Sequence, residues 1–244
     1  MSVSPVIAVL GAGSGLGASV ARRFGKEGFR VALVARRKER LDTLVAALAD
    51  EGVEAAAFPA DLSDPTGVPA LVDAIRDRFG RIDVVEYGPI GADAAFTPAA
   101  LLDAATMESY TRLLLLTPVE LFRAVLPELT ERGAGALLMT TGFTAVQPMA
   151  QLSGPGPAMA AARNYVYSLN AELADTGVHA GTLSIAALIS GSEQAEAAVK
   201  AQEDVRATGM EVPVIHPDEL AEHYWDMYTR RDRVEQVHPA AAAV

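Results

Sequence analysis

A chain of 244 residues, half of them hydrophobic, has enough apolar surface for one large core and too few residues for two ordinary domains. Its formal net charge of −11 argues against nucleic acid or an anionic membrane surface as a partner. The absence of cysteine removes disulfides, thiolate metal ligands and a cysteine nucleophile.

The chain starts with a strand. Met1-Ser2-Val3-Ser4-Pro5 has no basic n-region and leads directly into the apolar run Val6-Ile7-Ala8-Val9-Leu10. No apolar run approaches the ~20 residues of a membrane span, so a cytoplasmic protein is expected. The strand ends in Gly11-Ala12-Gly13-Ser14-Gly15-Leu16-Gly17, and residues 18–26 then read as a helix. A strand, 30–35, is followed by a helix, 41–49, and by a third strand, 53–59. Asp64 is placed to cap the next helix, with Pro65 at its first position and apolar spacing through 68–79. Residues 82–86 form a fourth strand, and 87–98 a Gly/Pro/Ala-rich loop. A helical region covers 99–131, with Pro118 suggesting a kink or a break near its middle. Then come a strand at 136–141, a loop at 142–157, an amphipathic helix at 158–175 and a strand at 178–185. A polar helical stretch at 192–208, a helix at 217–231 and a frayed alanine tail end the chain. The alternation of strands and helices predicts an α/β fold, a doubly wound parallel sheet in a single domain over 1–244.

The first turn is where chemistry enters. Four glycines between a strand and a helix make a cradle for the phosphates of a dinucleotide. Gly11 allows the tight turn, Gly15 lets backbone N–H groups approach a pyrophosphate, and Gly17 lets the helix pack closely on the strand. Gly13, Ser14 and Leu16 complete the cradle, and the positive end of the helix dipole faces the phosphates. At the end of the second strand an acid would bind a ribose 2′-hydroxyl, whereas arginine accommodates a 2′-phosphate. Here Ala35 is followed by Arg36 and Arg37, which points to NADP(H), with Arg36 as the main contact. Asp61 with Leu62 stands where the third strand ends; its carboxylate either accepts from the adenine amino group or closes a turn.

Gly11-x-x-x-Gly15-x-Gly17, the Ala-Arg-Arg after the second strand, Asp61-Leu62 and Leu169-x-x-Glu172-Leu173 together resemble the short-chain dehydrogenase/reductase family. The resemblance runs from the first strand to the sixth and implies a Rossmann fold. It also implies an active site in which a tyrosine, acidified by a lysine four residues later, moves the substrate proton. A serine would hold the carbonyl, and an asparagine would organise a water. Aligned on Glu172-Leu173, those positions hold Pro155 for tyrosine, Met159 for lysine and Gly142 for serine; the asparagine position holds Leu114. The chain has three lysines, Lys26, Lys38 and Lys200, and none follows a tyrosine at that spacing. The family's segment after the fourth strand is replaced by Glu86-Tyr87-Gly88-Pro89, of which Tyr87, Gly88 and Pro89 are expected at the cofactor.

Candidate replacements for the proton donor are Tyr87, Thr140 and Thr141. Arg163, Tyr165 and Tyr167 lie further along the long helix, where aromatics pack against the sheet or a partner subunit. Hydride transfer needs only NADPH against an electrophile, so an iminium, or an enone or carbonyl with another acid, remains a possible substrate. The alternatives are a cyclase or isomerase that holds the cofactor structurally, and an NADP(H)-sensing scaffold. His179, His216, His223 and His238 are scattered, so no metal site is expected. Tyr224, Trp225 and Tyr228 make an aromatic face on the last helix. Residues 188–213 stand where the family carries a substrate lid. The resemblance implies pairing through the two long helices, and the apolar Leu113-Leu114-Leu115-Leu116 fits a homodimer or homotetramer.

Overall fold

Strand β1 (Val6–Leu10) is buried at every position, as a strand covered on both faces must be. The computed structural model, which describes residues 4–90, 97–191 and 213–240, sets it inside a seven-stranded sheet. β2 (Arg30–Ala35) and β3 (Ala55–Pro59) lie to one side of it. β4 (Val84–Tyr87), β5 (Gly135–Gly142), β6 (Val178–Ile185) and an edge strand, β9 (Glu235–His238), lie to the other. Every pairing is parallel. The order β3-β2-β1-β4-β5-β6-β9 reverses between β1 and β4, so the crevice for a ligand opens where the chain turns out of those two strands.

Helices cover both faces. α1 (Leu16–Lys26), α2 (Lys38–Asp50) and α7 (Pro217–Arg230) bury Val20, Phe24, Leu41, Leu220 and Tyr224 against one. α3 (Val68–Phe79), α5 (Thr117–Arg132) and α6 (Gly156–Glu172) bury Ile75, Phe122 and Val166 against the other. α4 (Ala104–Thr111) leads into α5. A short parallel ladder outside the sheet, β7 (Leu188–Ile189) with β8 (Val214–Ile215), ties together the two ends of the segment expected as a lid. The rest of that segment, including the helical stretch expected at 192–208, lies outside the described residues, as does the tail from Ala241.

One element differs from expectation. Strand β9 falls in what reads as a polar tail; only Val237 in Glu235-Gln236-Val237-His238 is apolar, because an edge strand has little to bury. The kink or break expected near Pro118 takes the form of a widened turn just before it. Arg112–Leu116 is a widened π-turn, in which the Thr117 N–H reaches back to the Arg112 carbonyl. Pro118 follows it directly at the start of α5, where the helix runs on from the π-turn and the missing N–H leaves a carbonyl of that turn without a donor.

That turn explains Tyr87. Thr117 donates to Arg112, and Pro118 has no N–H, so the Leu113 carbonyl is deprived of its helical donors. The Tyr87 hydroxyl donates to it instead, from a side chain buried in the core. Thr117 anchors the same turn by donating from its own hydroxyl to the Leu62 carbonyl at 2.8 Å. Tyr87→Phe strands the Leu113 carbonyl. The expected outcome is a loss of roughly 1–2 kcal/mol in urea denaturation with no change of fold.

Candidate active site

Turning out of β1, the chain gives the Gly11 and Ala12 N–H groups to the Val34 carbonyl at 2.9 and 3.0 Å. Gly11 has φ +92°, and a Cβ there would lie 2.6 Å from Pro89 Cα. The turn after β1 and the turn after β4 thus touch through a residue that only glycine can be. A Cβ on Gly17 would lie 2.8 Å from Ala12 Cα, so the start of α1 packs directly on the turn rather than on the strand. Gly13 and Ser14 are exposed, and a Cβ on Gly13 would meet nothing closer than 3.9 Å. Gly15 provides no side-chain cap to α1. An open, anion-accepting cradle remains, and it fits a pyrophosphate. The Ser14 hydroxyl donates to the Gly191 carbonyl at 3.3 Å, linking cradle and β7.

Arg36 and Arg37 are exposed beyond β2, and Arg37 also stands at the N-cap of α2. Asp61 lies beyond the neighbouring β3. Its Oδ1 accepts from the Ser63 N–H at 3.0 Å and the Ser63 hydroxyl at 2.8 Å, so it does close a turn. Those two bonds, and more weakly the charge of Arg36, hold its carboxyl below the usual range. A cavity of about 190 Å³ opens beside it, lined by Asp61, Leu62, Asp64, Val68 and Leu71.

The four positions carried over from the resemblance converge. The Gly142 N–H, at the end of β5, points at Met159 Sδ at 3.2 Å. Met159 donates its own N–H to the Pro155 carbonyl at 3.1 Å, which puts Pro155 one turn away at the start of α6. Leu114, from the π-turn, is buried with Met159, Ala145 and Ala158. The cluster formed here from β5, α6 and the π-turn is buried and apolar, with one polarisable sulfur.

The other candidates separate. Tyr87 cannot serve as the proton donor: its phenol is buried, bonded to Leu113, and burial holds it well above its ordinary pKa. Thr140 and Thr141, being adjacent on a strand, face opposite sides of the sheet. The Thr141 hydroxyl lies 2.7 Å from the Ser184 hydroxyl, which donates to Glu235 at 2.7 Å. Arg163 donates to Glu235 through Nε at 2.8 Å and through its outer nitrogen at 2.5 Å, and Tyr167 donates at 2.7 Å. Together these bonds hold the Glu235 carboxyl below its ordinary range. Thr140 faces the other way. Its hydroxyl donates to Glu86 Oε1 at 2.9 Å and lies 2.6 Å from the Tyr224 hydroxyl. Glu86 is 1% exposed. Burial pushes its carboxyl up to about 8, against the opposing effect of the Thr140 bond.

The short chain dehydrogenase family model matches residues 5–217. The chain belongs to that family. Sulfoacetaldehyde reductase 2 of Chromohalobacter salexigens is 31% identical over 177 residues, 72% of this chain and 69% of the relative. A fatty acyl-CoA reductase of Mycobacterium tuberculosis is 31% identical over 181 residues, 72% of this chain and 60% of its own. The match spans only 55% of a short chain dehydrogenase of Pseudocercospora fijiensis. Among solved structures, the Gluconobacter frateurii L-sorbose reductase with NADPH and L-sorbose superposes with a TM-score of 0.78. It is 23% identical, over 95% of this chain and 92% of that one. A Pseudomonas aeruginosa short-chain oxidoreductase described as containing an atypical catalytic centre has a TM-score of 0.84 at 21% identity, with 98% of both chains covered.

In this member of the family the helix residues beyond Met159 are structural. Tyr165 stacks on Phe122 at 6.3 Å, and Arg163 and Tyr167 hold β9 through Glu235. The expected aromatic face of α7 divides: Trp225 and Tyr228 pack on Phe24 and Phe29, while Tyr224 turns into the core beside Thr140. The histidines are not all scattered, since His223 Nε2 and His238 Nδ1 meet at 2.9 Å. Among the described residues, no three metal-ligating side chains form a group. Sequence reasoning missed Glu235, which lies in no motif, and read Tyr224 as core or subunit contact without its hydroxyl's link to Thr140.

Glu86 sets a pH dependence of stability. In the unfolded chain it ionises near its ordinary 4.5, but in the fold it keeps its proton to about 8. Stability should therefore fall as pH rises between about 4.5 and 8, then level. Glu86→Gln, which cannot ionise, should remove a decline on the order of 4 kcal/mol, read from urea midpoints at about pH 5, 7 and 9.

Proposed function

We propose that this protein is an NADP(H)-dependent oxidoreductase that reduces a small organic acceptor without the tyrosine–lysine acid of its family. The observation that carries the reading is the convergence of Leu114, Gly142, Pro155 and Met159 into an apolar wall, beside a cradle whose glycine geometry is intact. The cradle N–H groups and the α1 terminus would hold the pyrophosphate, and Arg36 would hold the 2′-phosphate. When bound, the reduced cofactor supplies a hydride.

The chain's own residues then position the acceptor. Met159 and Leu114 exclude water from it, and the Met159 sulfur offers a polarisable surface. An iminium suits such a wall best: its carbon takes the hydride, its nitrogen loses its charge, and no proton is required. An enone or a carbonyl would need an acid, and the candidates Thr140 and Thr141, in β5, both have their hydroxyls in the buried networks described above. The Gluconobacter and Pseudomonas proteins support the reading as NADPH-bound members of the same fold, the latter with an atypical centre by its own description. Pairing into a homodimer or homotetramer is supported by the exposed Leu101 and Leu116 beside α4 and α5.

Purified protein should bind NADPH, read from nucleotide fluorescence, ten- to a hundredfold more tightly than NADH, and Arg36→Asp should remove most of that preference. With NADPH it should turn over cyclic iminium compounds and leave simple ketones nearly untouched. Ketone reduction at the speed of an intact tyrosine–lysine enzyme would overturn the reading, as would an Arg36→Asp variant with the preference unchanged.

A further inference from the structure

The hydroxyls considered above all have protein partners: Tyr87 has the Leu113 carbonyl, Thr140 has Glu86 and Tyr224, and Thr141 has Ser184. Thr144 is different. It sits in the single helical turn Phe143–Ala145 that follows β5, half-buried, and its hydroxyl makes no hydrogen bond to another described residue. The oxygen is not sealed in either, and keeps solvent access. The turn that carries it is firm, because the Val146 and Gln147 N–H groups both donate to the Phe143 carbonyl at 2.9 Å.

Two glycines define where that hydroxyl lies. Among the described residues, a Cβ on Gly142 would meet only Met159 Sδ, at 3.4 Å, and Thr144 Oγ1, at 3.9 Å. The side-chain direction of position 142, where the family resemblance implies a serine, therefore leads into the gap between that sulfur and that hydroxyl. On the other side, a Cβ on Gly156 at the start of α6 would lie 3.2 Å from Thr144 Oγ1 and 3.3 Å from its Cβ. Gly156 thus gives the threonine room to lean against the first turn of α6. The hydroxyl ends up among the positions carried over from the family, beside Gly142, Pro155 and Met159.

Around it Leu114, Ala145, Ala158 and Met159 are apolar. An uncommitted hydroxyl at the edge of such a cluster discriminates strongly, because a ligand group that fails to pair with it leaves a polar atom unsatisfied away from water. A carbonyl oxygen could accept from Thr144, but it would also have to take a proton. With no hydrogen-bonded base or cation behind it among the described residues, this hydroxyl is a poor acid. A hydroxyl can also accept, and that role suits a cation that needs no proton.

We infer that Thr144 holds the polar end of the acceptor, in place of the serine that the resemblance implies, and that the acceptor is an iminium bearing an N–H. The inference rests on the reductase reading above and narrows its substrate class. The N–H of the cation donates to Thr144 Oγ1 in a charge-assisted bond, while its carbon skeleton lies against Met159 and Leu114. At the iminium carbon a C–H bond forms with the hydride that NADPH gives up, and the C=N π pair becomes the nitrogen lone pair. A neutral amine and NADP⁺ result, and Thr144 moves no proton. An N-alkylated iminium has no N–H to offer and gains nothing from the hydroxyl.

The test compares protonated dihydroisoquinoline with its N-methyl salt, two cations of one ring system, as acceptors in NADPH oxidation by the full chain. Thr144→Val keeps the shape and removes the hydroxyl. It should raise KM for the N–H cation about tenfold or more with little change in kcat, and move KM for the N-methyl cation by less than about twofold. Thr144→Ser keeps the hydroxyl and should return KM for the N–H cation to within about threefold of wild type. NADPH affinity should stay within about twofold in both variants, which separates loss of this contact from damage to the cradle. Thr144→Ala gives the same comparison if Thr144→Val does not fold. Equal losses with both cations, no change with either, turnover of the N-methyl cation alone, or a Thr144→Ser variant as impaired as Thr144→Val overturns the assignment and leaves the reductase reading standing. Oxidation of NADPH with neither cation in the wild-type protein overturns both.

Discussion

The turn after β1 and the turn after β4 lie in backbone contact, and that contact organises the carboxyl edge of the sheet. It exists because Gly11 has no Cβ to strike Pro89, and because Gly88 has none to strike Glu86 and Thr140. A side chain at either glycine would push the two turns apart and lift the cradle from the polar groups beneath it. β1 and β4 are neighbours at the point where the strand order reverses, so the same contact marks where a ligand can enter.

Strand alternation divides the chemistry of the edge between two sides. Glu86 and Tyr87 are adjacent and point apart, as do Thr140 and Thr141. On the α1–α7 side, Glu86, Thr140 and Tyr224 form a dry hydrogen-bonded chain. On the α6 side, Thr141, Ser184, Glu235, Arg163 and Tyr167 form a second network that fastens the edge strand to the helix. The first contains an acid burdened by desolvation; the second contains one relieved by an arginine. Two glutamates in one protein are thus shifted in opposite directions because one has a cation and the other has only a threonine.

The apolar wall at the end of β5 has a matching logic. Gly142 leaves room for the Met159 sulfur, Pro155 sets the start of α6, and the π-turn swings Leu114 in to meet them. Pro118 is part of the same arrangement. By withholding an N–H it leaves the Leu113 carbonyl to Tyr87, so the turn that delivers Leu114 is bolted to β4.

Much of this was legible in the residues themselves. The apolar runs and glycine spacing determine the strands, the order of elements and the cradle, because burial on both faces and a tight turn leave few alternatives. The reading that puts Pro155, Met159 and Gly142 where the family resemblance implies tyrosine, lysine and serine likewise rests on the chain alone. Only the tertiary structure decided where Tyr87 points, that Thr140 and Thr141 part company, and that Glu235 and Tyr224 matter. Each of those depends on contacts between residues tens of positions apart, which local periodicity does not encode. The edge strand β9 escaped for a related reason: with little to bury, its residues carry no hydrophobic signature, and what places it is a partner strand and an ion pair to Arg163.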